Sequence, residues 1–180
     1  DFRRSRGLGD VYKRQKPIHQ DELFRAYAGV KLMPGTRETV QRLQDEGVFV
    51  AIVSAGVDLF VSSIASMLKV DDWIANGFVF DDDGYLTDEG VCRLHATGKG
   101  DVISKLLAMN DLAAEDCVSV GDSEMDLSMM VEGSGFIGFN PTRDSSKEAF
   151  AAAGVPVVNV KDLRAILPLM GFEVEGNDAS

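Results

Sequence analysis

Val118-Ser119-Val120-Gly121-Asp122-Ser123-Glu124-Met125-Asp126 joins an apolar, strand-like run to an acidic turn. A strand ending in Gly-Asp, with a second Asp four residues on where a helix would begin, sets two carboxylates at the C-terminal edge of a sheet. Open α/β folds bind their ligands at that edge. Asp122 and Asp126 are hard oxygen donors, and Mg2+ takes one or two carboxylates while keeping positions for water and phosphate. The same residues also suit a purely structural turn in which Asp126 caps the helix. The turn alone leaves both readings open, so its surroundings decide.

Downstream, strands over residues 136–139 and 155–160 alternate with helices over 126–131, 145–153 and 163–170. Upstream, residues 21–27 read as a short helix. Pro34-Gly35 then breaks the chain, and Thr36 is expected to N-cap a helix running to residue 46, closed by Gly47. The run Val48-Phe49-Val50-Ala51-Ile52-Val53 predicts a strand buried on both faces, as parallel strands are. A helix over 59–68 follows, then a hairpin of 77–80 and 85–87 around Asp81-Asp82-Asp83-Gly84, and a helix over 99–109. Strands alternating with helices predict an α/β fold: a parallel sheet with flanking helices and right-handed crossovers, plus one small β-hairpin.

Two further stretches bear on chemistry. Ser54 ends the predicted strand 48–53, and Ala55-Gly56 would let the next amides approach a ligand closely. A hydroxyl and backbone N–H groups at such an edge form an anion-binding nest, although a Ser there equally suits a helix N-cap. Lys99 opens its helix, where the dipole disfavours a cation, so a bound phosphate or a carboxylate cluster is needed to compensate unless the side chain is simply solvated.

The 180 residues suit about one domain, and 45% hydrophobic with 26% charged content reads as globular. A net charge of −11 argues against nucleic acid or an anionic membrane surface as partner. The longest apolar run is too short to span a membrane. Cys92 and Cys117 form no metal-ligand pattern; Cys117 is expected to be a small core residue, and the pair suits a reducing, cytoplasmic setting. Residues 1–16 hold six of the 18 basic side chains and have no apolar period, so this segment is expected to be disordered or foreign to the fold. The polar tail, 173–180, is expected to fray.

Taken in order, Met33-Pro34-Gly35, Val53-Ser54-Ala55-Gly56, the Asp83-Gly84-Tyr85-Leu86-Thr87 hairpin, Lys99-Gly100-Asp101, Gly121-Asp122-Ser123-Glu124-Met125-Asp126 and Ile137-Gly138-Phe139-Asn140 resemble the haloacid dehalogenase-like (HAD) phosphatases, and within them the phosphoserine phosphatase branch. The resemblance spans about residues 30–170. It implies a HAD-like Rossmannoid core over 33–172, with 17–32 a remnant of a helical cap. It also implies Mg2+ as cofactor and a small phosphorylated metabolite as substrate. By this resemblance Ser54, with Ala55 and Gly56, binds the phosphoryl oxygens, and Lys99 neutralises the phosphoryl and nucleophile charge. Asp122 ligates Mg2+, and Asp126 supports the metal site or its waters.

The family's nucleophile, the first Asp of Asp-x-Asp-x-Thr after the first strand, has no counterpart before Ser54. The expectation is therefore a fragment without its central first strand, inactive as written. The facing strand edges would then stand about 10 Å apart, two strand spacings, and would invite aggregation. A HAD-like phosphate-binding or regulatory domain that lost its nucleophile is the alternative. Ala55 and Val57 replace the usual Gly and Phe after Ser54, and Met125 replaces the usual Asn, so phosphoserine is the expected substrate with other small phosphorylated metabolites open.

Overall fold

The computed structural model describes residues 17–29 and 31–173. The expectations for 1–16 and for most of the polar tail lie outside the described residues. Among the described residues, five helices, α1 Gln20–Ala28, α2 Thr36–Asp45, α3 Asp58–Leu68, α4 Lys99–Met109 and α5 Asp144–Ala153, are interspersed with six strands. The strands are β1 Ala51–Val57, β2 Asp72–Phe80, β3 Leu86–Val91, β4 Val118–Gly121, β5 Gly135–Phe139 and β6 Val157–Val158. Short 3-10 helices occupy Ala114–Asp116, Glu124–Met129 and Leu163–Met170.

The predicted α/β alternation holds, but the strands form two three-stranded sheets, ordered β1-β2-β3 and β4-β5-β6. β1 and β2 pair in parallel, as do β4 with β5 and β5 with β6, whereas β2 and β3 form the predicted antiparallel hairpin. Among the described residues no strand lies between β1 and β4. Both instead line an apolar cavity of about 630 Å3, walled by residues such as Ile52, Val53, Ile103, Val118, Val120 and Ile166.

That cavity explains one correction. The strand expected over 48–53 to be buried on both faces is only half-buried, because β2 covers one edge and the cavity the other. It also starts later and runs further. Val48 N–H donates back to Leu43 O at the end of α2, and Val50 N–H is taken by the Asp71 carboxylate at 2.8 Å, so regular pairing begins at Ala51. At the other end a bulge at Ala55-Gly56 carries the strand to Val57.

Other boundaries shift for local reasons. Gly35, at φ 76°, rather than Thr36, is the N-cap of α2, and the Thr36 hydroxyl donates back to Met33 O at 2.7 Å. The 126–131 helix is a 3-10 helix over Glu124–Met129. β6 pairs through only two residues instead of six.

The best-packed region lies around β5, where Ile103, Met129, Phe136 and Phe150 form one buried cluster and Ile137, Phe139, Val158 and Ile166 another. Cys117 packs against the first cluster, as expected of a small core residue, and burial raises its thiol pKa; Cys92 is exposed, and both thiols are free. Residues 17–28 attach at the edge of the fold. His19 bridges Tyr85 in the hairpin, and Tyr27 stacks on Phe60 at 4.8 Å, yet α1 buries none of its residues. No helix among the described residues is long and apolar enough to cross a membrane.

Candidate active site

The acidic turn follows β4 directly. Ser119 is buried in that strand and donates to Met129 O at 3.4 Å, tying the strand to the 3-10 helix beyond the turn. Between them the chain doubles back so tightly that a Cβ on Gly121 would fall 2.3 Å from the Asp126 Cβ. Only glycine leaves room for the side chain that organises the turn.

Asp126 is that side chain. Its Oδ2 accepts from the Asp122 amide at 3.2 Å, the Ser123 amide at 3.1 Å and the Ser123 hydroxyl at 2.9 Å, closing a capping box. Its Oδ1 accepts from Lys99 Nζ at 2.5 Å, and both residues are about nine-tenths buried. Burial alone would push this carboxyl up. The Lys99 hydrogen bond and charge, together with the Ser123 donors, outweigh it and hold Asp126 below the ordinary aspartate value. The carboxylate needed to compensate Lys99 at the first position of α4 is therefore Asp126, 27 residues away. α4 comes close to the 3-10 helix to allow this; a Cβ on Gly100 would stand 2.7 Å from Ser128 O.

Asp122 is the opposite case. It is exposed, and its carboxylate has no hydrogen-bond or ion-pair partner among the described residues. A free carboxylate at the C-terminal end of a parallel strand, beside a structured anion–cation pair, is available to a cation. Asp126 spends its oxygens on four protein donors, so it suits the supporting role rather than direct ligation. Among the described residues no group of three or more His, Cys, Asp or Glu side chains is arranged to hold a metal ion.

Ser54 and the bulge belong to the other sheet. The Ser54 hydroxyl oxygen accepts from the Gly56 amide at 3.0 Å, while Ala55 and Gly56 are exposed at the end of β1. No hydrogen bond or ion pair joins Ser54 to Lys99, Asp122 or Asp126. Val53, one residue before, packs against the Ile103–Met129 cluster, and the cavity lies between β1 and β4. The structure thus brings Lys99, Asp122 and Asp126 together and leaves Ser54, Ala55 and Gly56 at the end of the other sheet's edge strand.

Asn76 was not singled out from the sequence. Its amide donates to Ala55 O at 3.1 Å and Leu94 O at 3.0 Å, while its carbonyl accepts from the Arg93 and Leu94 amides, linking the Ser54 bulge to the loop that leads to Lys99. Nothing local marks such an Asn, because its partners lie 17 to 21 residues away.

The model of the haloacid dehalogenase-like hydrolase family matches residues 6–131. A phosphoserine phosphatase of Methanocaldococcus jannaschii is 30% identical over 114 residues, covering 63% of this chain and 54% of that protein. One from Haemophilus influenzae is 32% identical over 143 residues, covering 77% of this chain and 43% of its own. A solved phospho-aspartyl intermediate analogue of phosphoserine phosphatase superposes with a TM-score of 0.76 at 29% identity, covering 86% of this chain and 71% of that one. The chain spans about half the length of the curated relatives it matches.

Proposed function

We infer a role in phosphomonoester hydrolysis from one premise: this chain belongs to the haloacid dehalogenase-like hydrolase family. The reading supported best is a Mg2+-dependent hydrolase of phosphoserine phosphatase type, acting on a small phosphorylated metabolite in the cytoplasm. The observation that carries it is the exposed, unpartnered Asp122 at the end of β4, set on a turn that Asp126 and buried Lys99 hold rigid. The donor set fits the metal in part. Asp122 would ligate Mg2+ directly and Asp126 would hold the turn, leaving room for waters and phosphate oxygens.

Bound there, Mg2+ would offset negative charge on a phosphoryl group. The chain's own residues do the rest. Lys99 supplies fixed positive charge in a poorly hydrated place, where it acts more strongly than in water. The Ser54 hydroxyl, whose oxygen the Gly56 amide holds in place, suits a phosphoryl oxygen beside the exposed Ala55-Gly56 bulge. Such positioning and charge neutralisation are what phosphoryl transfer requires of a protein.

No Asp-x-Asp-x-Thr precedes Ser54 in the sequence, so the nucleophile that the family resemblance implies has no counterpart there. The chain by itself is accordingly read as hydrolytically inert, with 17–32 as the remnant of a cap. The same observation favours a second reading, a phosphate-binding or regulatory domain. Purified chain incubated with phosphoserine and Mg2+ should release phosphate at the blank rate. It should bind Mg2+ in a manner lost in Asp122→Asn. Rapid Mg2+-dependent release would overturn the inert reading, and absence of Mg2+ binding would overturn the metal site. Tight binding of inorganic phosphate without turnover would favour the regulatory domain.

A further inference from the structure

We propose that Glu124 is a positioning residue that latches the acidic turn to the first turn of α5 and thereby fixes where Asp122 points. The inference rests on the reading of Asp122 as a metal ligand and goes beyond it. Glu124 opens the 3-10 helix two residues after Asp122 and two before Asp126. Its carboxylate spans two serines more than twenty residues away: Oε1 accepts from Ser145 Oγ at 3.2 Å, and Oε2 accepts from Ser146 Oγ. Ser146 is wholly buried, so the serine end of the second bond lies inside the fold, whereas Glu124 is partly exposed. α5 has no side-chain cap of its own at Arg143, and the Glu124 carboxylate supplies negative charge where the dipole of this ten-residue helix favours it.

The turn is thus held from both sides. Asp126 draws it inward to Lys99, and Glu124 draws it toward α5, whereas Asp122, just ahead of both in the chain, touches neither anchor through its carboxylate. A side chain with no bonds of its own takes its direction from its backbone, so the two anchors set the aim of Asp122. Outer partners of this sort govern metal affinity without touching the metal.

The test uses the full chain with Mg2+ followed by calorimetry, and amide hydrogen exchange without metal. Glu124→Ala and Ser146→Ala should each weaken Mg2+ binding about ten-fold, the typical lower cost of losing an outer partner. The double variant should be little worse than Glu124→Ala alone, which already removes both serine bonds. Glu124→Gln, which keeps an acceptor, should recover part of the loss. Without metal, the Asp122 and Ser123 amides should exchange faster in both alanine variants, while amides in β5 stay unchanged. Unchanged exchange at Asp122 and Ser123 would overturn the latch. So would Mg2+ affinity equal to the parent chain's in a variant that melts at a lower temperature, because a purely structural contact behaves that way. If the parent chain and Asp122→Asn alike fail to bind Mg2+, the metal reading fails, and faster exchange in the variants still establishes the latch.

Discussion

β5 and β1 are both short apolar strands in parallel pairs, yet four of five β5 residues are buried and no β1 residue is. β5 has a strand on each edge and α5 pressed so close that a Cβ on Gly138 would strike the Phe150 ring at 2.5 Å. β1 has β2 on one edge and the cavity on the other. Composition made the two look alike, and neighbours made them different. The same division runs through the site. Lys99, Asp126 and the Asp122 amide stand on the well-packed side in a bonded array, and Ser54 stands just before the bulge of the strand whose other edge is open.

The largest way to sharpen this contrast is to excavate each side. Phe150→Ala should cost about 3–5 kcal/mol, as for a large core truncation. Ile52→Ala, beside space already empty, should cost only about 1 kcal/mol. Urea unfolding measures both, and equal costs would break the comparison.

Next comes the ion pair. Asp126→Ala strands buried Lys99 and should cost about 3–5 kcal/mol, as when one partner of a buried pair is removed. Asp126 has a folded pKa below its unfolded one, so its contribution is complete above the unfolded value and fades as pH falls through the folded value. The parent chain should therefore lose stability more steeply than Asp126→Ala below about pH 4, near the usual aspartate value. Parallel acid titrations followed by circular dichroism would show it, and matching curves would count against the pair.

Gly121→Ala should cost about 1–3 kcal/mol, the range for overpacking, since the Asp126 side chain must move. The smallest effect on stability belongs to Asp122→Asn. An exposed residue without partners should change it by no more than about 0.5 kcal/mol while Mg2+ binding disappears. Thermal melts with and without Mg2+ separate the two variants, and a large destabilisation by Asp122→Asn would mean that its carboxylate has a structural partner after all.

Periodicity alone located α4 over 99–109 and the 163–170 helix, because their apolar spacing and flanking breakers are local. It placed β1 too early, since the Asp71 side chain that occupies Val50 lies 21 residues away. It missed the first half of β2, whose pairing with β1 is long-range. Lys99 at a helix start signalled that a compensating group was needed but did not name Asp126. The bond from Ser146 to Glu124 left no trace in the spacing.

The sequence by itself determined the α/β alternation, the family, and the residues Ser54, Lys99, Asp122 and Asp126 as the ones to watch, because helix periods, strand runs and short motifs are written over a few neighbouring positions. Tertiary structure alone decided that Asp126 is bonded on all sides while Asp122 is free, that Glu124 ties the turn to α5, and that β1 and β4 face each other across a cavity. Those outcomes depend on which distant groups share space, and burial, charge pairing and strand-edge satisfaction are set by that proximity rather than by the order of residues along the chain.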